Sequence, residues 1–278
     1  MNPILSVIVP CYNVEKFVRE CLSSIENQEL REIEVICVND GSTDGTLGII
    51  KEFCKRDSRF KVIDKPNSGY GDSVNRGIDL AMGKYIGIIE SDDYIEKDMF
   101  SSLVSMAESE NLDIASGSYF YTYQNREVPA KIHRTPKGVV TSPMRDKTIF
   151  LEDPAIWSRI YLKSFILRNE IKFLPTLGAS YQDLSFSFLC NLMCKRFKMV
   201  DKCYVHYRQH ENNSVRSGGR VFAVSDELHG IVDYIKKHFA IREFGVGDVL
   251  YKKTNFIVQV EFLQTGGRGK EEIFRQVV

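Results

Sequence analysis

The stretch Gly83-Lys84-Tyr85-Ile86-Gly87-Ile88-Ile89-Glu90-Ser91-Asp92-Asp93-Tyr94 decides the fold. Residues 85–89 are apolar on both faces, as a strand must be when helices cover both sides of a parallel sheet. The strand runs straight into Glu90, Asp92 and Asp93. Acids crowded at the end of a buried strand repel one another and lose hydration, so they call for a compensating cation. Carboxylate oxygens suit hard divalent ions, Mn²⁺ or Mg²⁺. An isolated acidic triplet is more often a solvated turn. Here a second acidic strand end upstream shifts the balance.

That second end closes residues 33–38, a β-branched run entering Asn39-Asp40-Gly41-Ser42-Thr43-Asp44. Before it, residues 4–9 form a short apolar strand ended by Pro10. Cys11-Tyr12-Asn13 then turns into an amphipathic helix carrying Val14, Phe17, Val18, Cys21, Leu22 and Ile25, with Asn13 as its N-cap. A helix to about residue 56, a strand at 60–64, the loop 65–71 and a helix bearing Val74 and Ile78 complete the run to residue 85. Alternating strands and helices define an α/β doubly wound, mostly parallel sheet, whose ligands bind outside the carboxyl ends of the strands. The loops at 10–13, 39–44, 65–71 and 90–94 all fall on that edge.

Beyond it the spacing predicts a helix over 97–108, a strand over 112–123 and a mobile loop over 124–145. Helices follow near 147–152, 163–170 and 183–195, then one or two short strands over 197–208. Amphipathic helices at 221–239 and 251–263 close the chain. The expected organisation is a ligand-binding α/β half (1–123), a second part of the same domain (124–220) and a helical C-terminal segment (221–278), which looks truncated.

The 278 residues are 43% hydrophobic, enough for a substantial core, and 37 basic side chains balance 37 acidic ones. No global charge recruits nucleic acid or an anionic membrane. Seven scattered cysteines, mostly in apolar surroundings, read as reduced thiols rather than a disulfide framework. Neither a leader pattern nor a bilayer-length apolar run is visible. The expectation is therefore a cytoplasmic protein, with association at the inner face of the membrane left open. Gly-x-Gly-x-x-Gly and Gly-x-x-x-x-Gly-Lys are both missing from the sheet, so phosphate would be neutralised by metal rather than gripped by a glycine loop.

Ser-Val-Ile-Val-Pro-Cys-Tyr-Asn at 6–13, Val-Asn-Asp-Gly-Ser-Thr-Asp at 38–44 and the quoted stretch from Gly83 resemble the family-2 nucleotide-sugar glycosyltransferases. Segments at 155–161, 181–186 and 207–215 resemble the same family more loosely. The resemblance implies a GT-A fold and an inverting transfer of sugar from a nucleotide donor, UDP-linked by preference, to a glycan or lipid-linked acceptor. It places Pro10, Tyr12, Asn13, Asp40, Asn67, Gly71, Asp72, Glu90 and Ser91 around the nucleotide. It makes Asp92 and His210 metal ligands and Asp183, beside Gln182, the general base. Asp93, Trp157, Arg159, Gln182 and Arg208 fall on the donor-sugar or acceptor side, with Trp157 nearly as well read as a core aromatic and His206 as structural. Glu90 departs from the family's Asp-x-Asp pattern. A catalytically silent nucleotide-sugar-binding module and, less favoured, a nucleotidyltransferase are the competing readings.

Overall fold

The computed structural model describes residues 2–130, 134–176, 178, 181–210 and 223–239. In chain order the strands and helices are β1 (Leu5–Cys11), α1 (Val18–Glu26), β2 (Ile33–Asp40), α2 (Thr46–Arg56), β3 (Phe60–Lys65), α3 (Tyr70–Leu80), β4 (Tyr85–Ile88), β5 (Tyr94–Ile95), α4 (Met99–Glu110), β6 (Ile114–Tyr123), β7 (Arg126–Pro129), β8 (Arg159–Leu162), α5 (Lys163–Arg168), α6 (Gln182–Met193), β9 (Phe197–Arg208) and α7 (Ala223–Phe239). Short 3₁₀ turns at Lys147–Leu151 and Ile156–Ser158 lead into β8.

The strands form one mixed sheet in the order β3-β2-β1-β4-β8-β6-β9-β5, with β7 pairing β6. The β3-β2-β1-β4 half is all parallel. Both β1 and β2 are buried along their whole length, which explains their continuous apolar runs. Cys11 lies opposite Asn39, Asp40 opposite Lys65, and Ile8 opposite Ile88, so the four strands end along one edge. The chain leaves that edge through Tyr12, Gly41 and Glu90 in turn. Gly41 holds φ +70, and a Cβ there would stand 2.7 Å from the Asn67 backbone nitrogen, so the loops after β2 and β3 close on each other only with glycine.

The second half departs from a wholly parallel sheet. Strand β8 inserts antiparallel between β4 and β6, pairing Gly87 with Ile160 and Ser116 with Arg159. Strand β9 is one 12-residue strand, parallel to β6 through an irregular register. Residues 126–129 are strand rather than loop: β7 folds back on β6 through Gln124 and Asn125, pairing Tyr123 with Arg126. The helix predicted from residue 221 is described from Ala223. The expected helix over 251–263, and the part of the C-terminal segment beyond residue 239, lie outside the described residues.

Helix α7 packs on α6 with Ile231, Val232 and Ile235 buried. It also buries Glu227, whose Oε2 accepts a hydrogen bond from Ser185 Oγ. Desolvation pushes this carboxyl up to about 7, with the Asp183 charge adding to the shift. The folded chain therefore holds this proton up to about pH 7, whereas the unfolded chain releases it near 4.5. Stability should fall as pH rises from about 4.5 to about 7 and level off above, because the native state binds more protons in that window. Glu227→Gln keeps a hydrogen-bond acceptor without the buried charge. It is expected to stabilise the protein above pH 7 by roughly 1–3 kcal/mol and to flatten the slope, as read by chemical denaturation across that range.

Candidate active site

The exposed ring of Tyr12 leaves the end of β1 with 51% of its surface free, available to stack on a base. Pro10 is a buried strand residue beneath it. Asn13 is not the cap of α1. It turns the chain at φ +52, and its Oδ1 accepts from the Thr43 amide, tying the β1 loop to the β2 loop. Helix α1 instead begins after Phe17.

Asp40 is buried at the end of β2 and already engaged. It pairs with Lys65 and accepts from the amides of Ser68 (2.8 Å) and Gly69 (3.0 Å). Lys65 also reaches Asp72 at 3.2 Å, and Asp72 pairs with Arg76. This network fixes the 65–71 loop below the exposed Asn67. Gly71 does not face a nucleotide: a Cβ there would meet the Leu174 carbonyl oxygen at 2.1 Å, so its role is close packing of α3 on the 171–176 segment.

At the end of β4 the acids separate into different environments. Glu90 accepts a 2.5 Å hydrogen bond from Tyr70, a partner the sequence analysis passed over. Desolvation pushes Glu90 up to about 8, against the hydrogen bond from Tyr70, and the charges of Asp92 and Asp183 add to it. Ser91 is buried against Cys11. Asp93 is fully buried, which is a correction: it cannot orient a sugar. One of its oxygens accepts from the Arg208 amide at 2.8 Å, and Oδ2 has no hydrogen-bond partner among the described residues. Burial and the neighbouring Asp92 charge hold its pKa well above the usual carboxylate range.

Asp92 stays partly exposed and stands 2.9 Å from His210 Nε2. His210 stacks on Phe17, with ring centroids 4.6 Å apart. Arg208 donates to the Asp92 carbonyl and to Glu20, each at 2.8 Å, and lies over the Phe17 ring. Phe17, just before α1, thus supports both Arg208 and His210 at the end of β9. Phe17 reads in the sequence as an ordinary apolar helix position; only the fold brings it here.

One carboxylate oxygen and one imidazole nitrogen suit Mn²⁺ well, and Mg²⁺ through the carboxylate. Among the described residues no three His, Cys, Asp or Glu side chains gather closely enough to hold an ion alone. The two residues therefore fit a divalent ion only if further ligands were supplied to it from outside this pair.

Asp183 lies in the first turn of α6, where the helix dipole favours a carboxylate. Tyr181, at φ +64, turns the chain immediately before it. Such a conformation is rare for an aromatic residue and clusters at functional sites. Gln182 is buried and donates to Thr176 Oγ1 and the Gly178 carbonyl, so it braces the preceding loop rather than facing a substrate. The Asp183 charge acts on both Glu90 and Tyr70, which places the α6 terminus beside the end of β4.

Arg159 is corrected as well. It is 1% exposed, and its guanidinium donates to Ser187 Oγ, Asn191 Oδ1 and the Asp153 carbonyl, joining β8 to α6. Arg159→Ala should cost about 2–5 kcal/mol in thermal or chemical denaturation through lost packing and orphaned acceptors, with ligand affinity unchanged in the molecules that fold. Trp157 is 9% exposed, stacked on Tyr207 at 5.2 Å and edge-on to Tyr119 at 4.7 Å, in keeping with a core aromatic. His206 is structural: it lies between Glu127 (2.7 Å) and Glu96 (3.0 Å) and stacks on Tyr94.

The sheet thus gathers its loops on one strand edge, with the Asp92–His210 pair at the end of β4. The glycosyl transferase family 2 model matches residues 6–170, and the chain belongs to that family. It is 32% identical over 218 residues to the uncharacterized glycosyltransferase EpsJ of Bacillus subtilis (strain 168), a match covering 77% of this chain. The chain spans 63% of the length of EpsJ and likewise of EpsH from the same organism. Among solved structures, S. aureus TarS in complex with UDP-GlcNAc superposes with TM-score 0.65 at 22% identity, covering 87% of this chain and 73% of TarS. The mannosyltransferase PcManGT from Pyrobaculum calidifontis, in complex with GDP-Man and Mn²⁺, follows at TM-score 0.54 and 16% identity, covering 88% and 66%. At these identities the likeness carries the fold, which is the expected mixed α/β GT-A architecture. No helix among the described residues is long and apolar enough to cross a membrane.

Proposed function

We propose that this chain transfers a sugar from a UDP-linked donor to a hydroxyl of a glycan or lipid-linked saccharide, with inversion at the anomeric carbon, in surface polysaccharide synthesis. The observation that carries the reading is the Asp92–His210 pair, 2.9 Å apart at the carboxyl end of β4 and flanked by Arg208, in a family-2 chain. UDP is favoured because TarS, the stronger of the two structural likenesses, carries UDP-GlcNAc.

In this reading Tyr12 stacks on the base and the loops after β2 and β3 enclose the nucleoside. Asp92 and His210 would hold a divalent ion, which supplies charge compensation for the departing diphosphate. Asp183 accepts the proton of the acceptor hydroxyl as that oxygen bonds to the anomeric carbon. The bond to the diphosphate oxygen breaks on the opposite face, its electron pair leaving with UDP. One in-line displacement inverts the configuration. Glu90, hydrogen-bonded by Tyr70, stands at the end of β4 in place of the family's first aspartate. The reaction belongs on the cytoplasmic side, where nucleotide sugars are supplied, with membrane contact made through the acceptor.

The test is a panel of UDP- and GDP-sugars incubated with the protein and Mn²⁺, scored by release of nucleoside diphosphate. The expected result is release from at least one UDP-sugar, abolished by EDTA. A folded protein that binds UDP but releases none from any sugar, with or without acceptor extracts, would favour the silent binding module instead.

A further inference from the structure

Beside Asp92, and lined in part by His210, the described residues form a groove of about 820 Å³ between the β6–β7 hairpin, α1 and the end of β9. That volume lies within the roughly 300–1,000 Å³ typical of small-molecule sites. Its walls hold Glu20, Tyr94, Tyr123, Arg126 and Glu127, and it reaches the metal pair through Arg208 and His210.

The floor is preorganised. Tyr94 is sandwiched between the His206 ring, 4.2 Å away and nearly parallel, and the Arg208 guanidinium at 5.1 Å. Glu127 accepts from Tyr94, Thr122 and His206, which fixes the hairpin against β9. A wall held this way binds without first paying to order itself. The rim is different: Tyr123 is 37% exposed, and Arg126 lies over its ring at 4.9 Å with no carboxylate partner among the described residues. The exposed amides of Gln124 and Asn125 complete it.

We infer that this groove is a subsite for the acceptor saccharide, holding sugar residues beyond the one whose hydroxyl reacts. The inference rests on the transferase reading above and names a substrate-binding surface for it. Glu20 and Glu127 balance Arg126 and Arg208 in its lining, with Glu20 paired to Arg208, so it exerts little net pull on an anion. The Arg126 guanidinium and the Gln124 and Asn125 amides supply donors and acceptors for the vicinal hydroxyls of a sugar. The Tyr123 ring offers a flat partner for the apolar face of a pyranose. Continuity with His210 puts a chain seated here next to the donor diphosphate, so a reacting end can extend inward while the groove holds the rest.

The experiment applies the full chain to a printed array of bacterial surface oligosaccharides, with UDP titrated in Mn²⁺ as a separate readout. The double variant Tyr123→Ala/Arg126→Ala sits on an exposed hairpin, and its fold is checked by melting temperature. The expected result is binding of a related set of saccharides by the wild type, at least about tenfold weaker in the variant, with UDP affinity unaltered. A UDP-binding wild type that retains no saccharide on the array, or a folded variant that retains them equally, overturns the subsite. Saccharide binding that the variant loses, in a protein that takes up no UDP, would uphold the groove and sink the donor reading instead.

Discussion

Asp183→Asn is expected to lower nucleotide-sugar turnover by roughly 10²–10⁴-fold while leaving UDP affinity in Mn²⁺ within about twofold. The amide keeps the shape and the hydrogen-bonding reach of the carboxylate at the first turn of α6, so the fold has no reason to change. It cannot take a proton from an attacking hydroxyl. Its charge is felt by Glu90, Tyr70 and Glu227, but the metal pair Asp92–His210 is made without it. Steady-state release of UDP, measured beside calorimetric UDP binding, separates the two effects. Equal loss of binding and turnover would assign Asp183 to the donor pocket rather than to proton transfer.

Asp92→Ala should have the second large effect, and on a different quantity. Removing the carboxylate leaves His210 as the remaining protein donor of the pair, and each charge-assisted contact is worth roughly 1.5–3 kcal/mol. The Mn²⁺ concentration for half-maximal activity should rise by about tenfold to a hundredfold. In EDTA the variant and wild type should be indistinguishable in UDP binding. Asp92 is partly exposed, so the change should leave the melting temperature nearly untouched. Asp93→Ala is the contrasting case: it removes the buried acceptor of the Arg208 amide and should act on stability instead.

The parallel half of the sheet was legible because its inner strands are largely apolar runs punctuated by polar loops, while the edge strand β3 mixes Lys61 and Asp64 with Val62 and Ile63. Burial on both faces imposes that pattern locally on β1, β2 and β4, so each could be read one segment at a time. The hairpin β6–β7 was not legible. Its two-residue connection is Gln124-Asn125, without the glycine that marks a tight hairpin, and Pro129 ends the return strand. The insertion of β8 depends on pairings with residues of β4 and β6 that lie more than 40 positions away in sequence, and four residues carry little periodic signal.

The site divides in the same way. Tyr12, Asp92, His210 and Asp183 sit on loops or element ends, where a polar side chain near an apolar run is informative. The structure places Asp92 and His210 together and Asp183 near Glu90. Asp93, Arg159 and Gly71 share motifs or segments with those residues but face inward, and a motif does not reveal which way a side chain points. Tyr70 and Phe17 were missed for the converse reason. Each reads as a helix or loop aromatic, and only the packing of α3 and α1 against the end of β4 makes them partners of Glu90 and His210.

The central claim is that the carboxyl edge of β1 to β4 holds a nucleoside diphosphate through a metal carried by Asp92 and His210. Calorimetric titration of the wild type with UDP, in Mn²⁺ and again in EDTA with GDP as the control, tests it most directly. The account predicts saturable UDP binding in Mn²⁺ that weakens by at least about tenfold in EDTA and exceeds GDP binding under both conditions. A folded protein that takes up UDP equally well in EDTA, or no nucleotide at all, would contradict it.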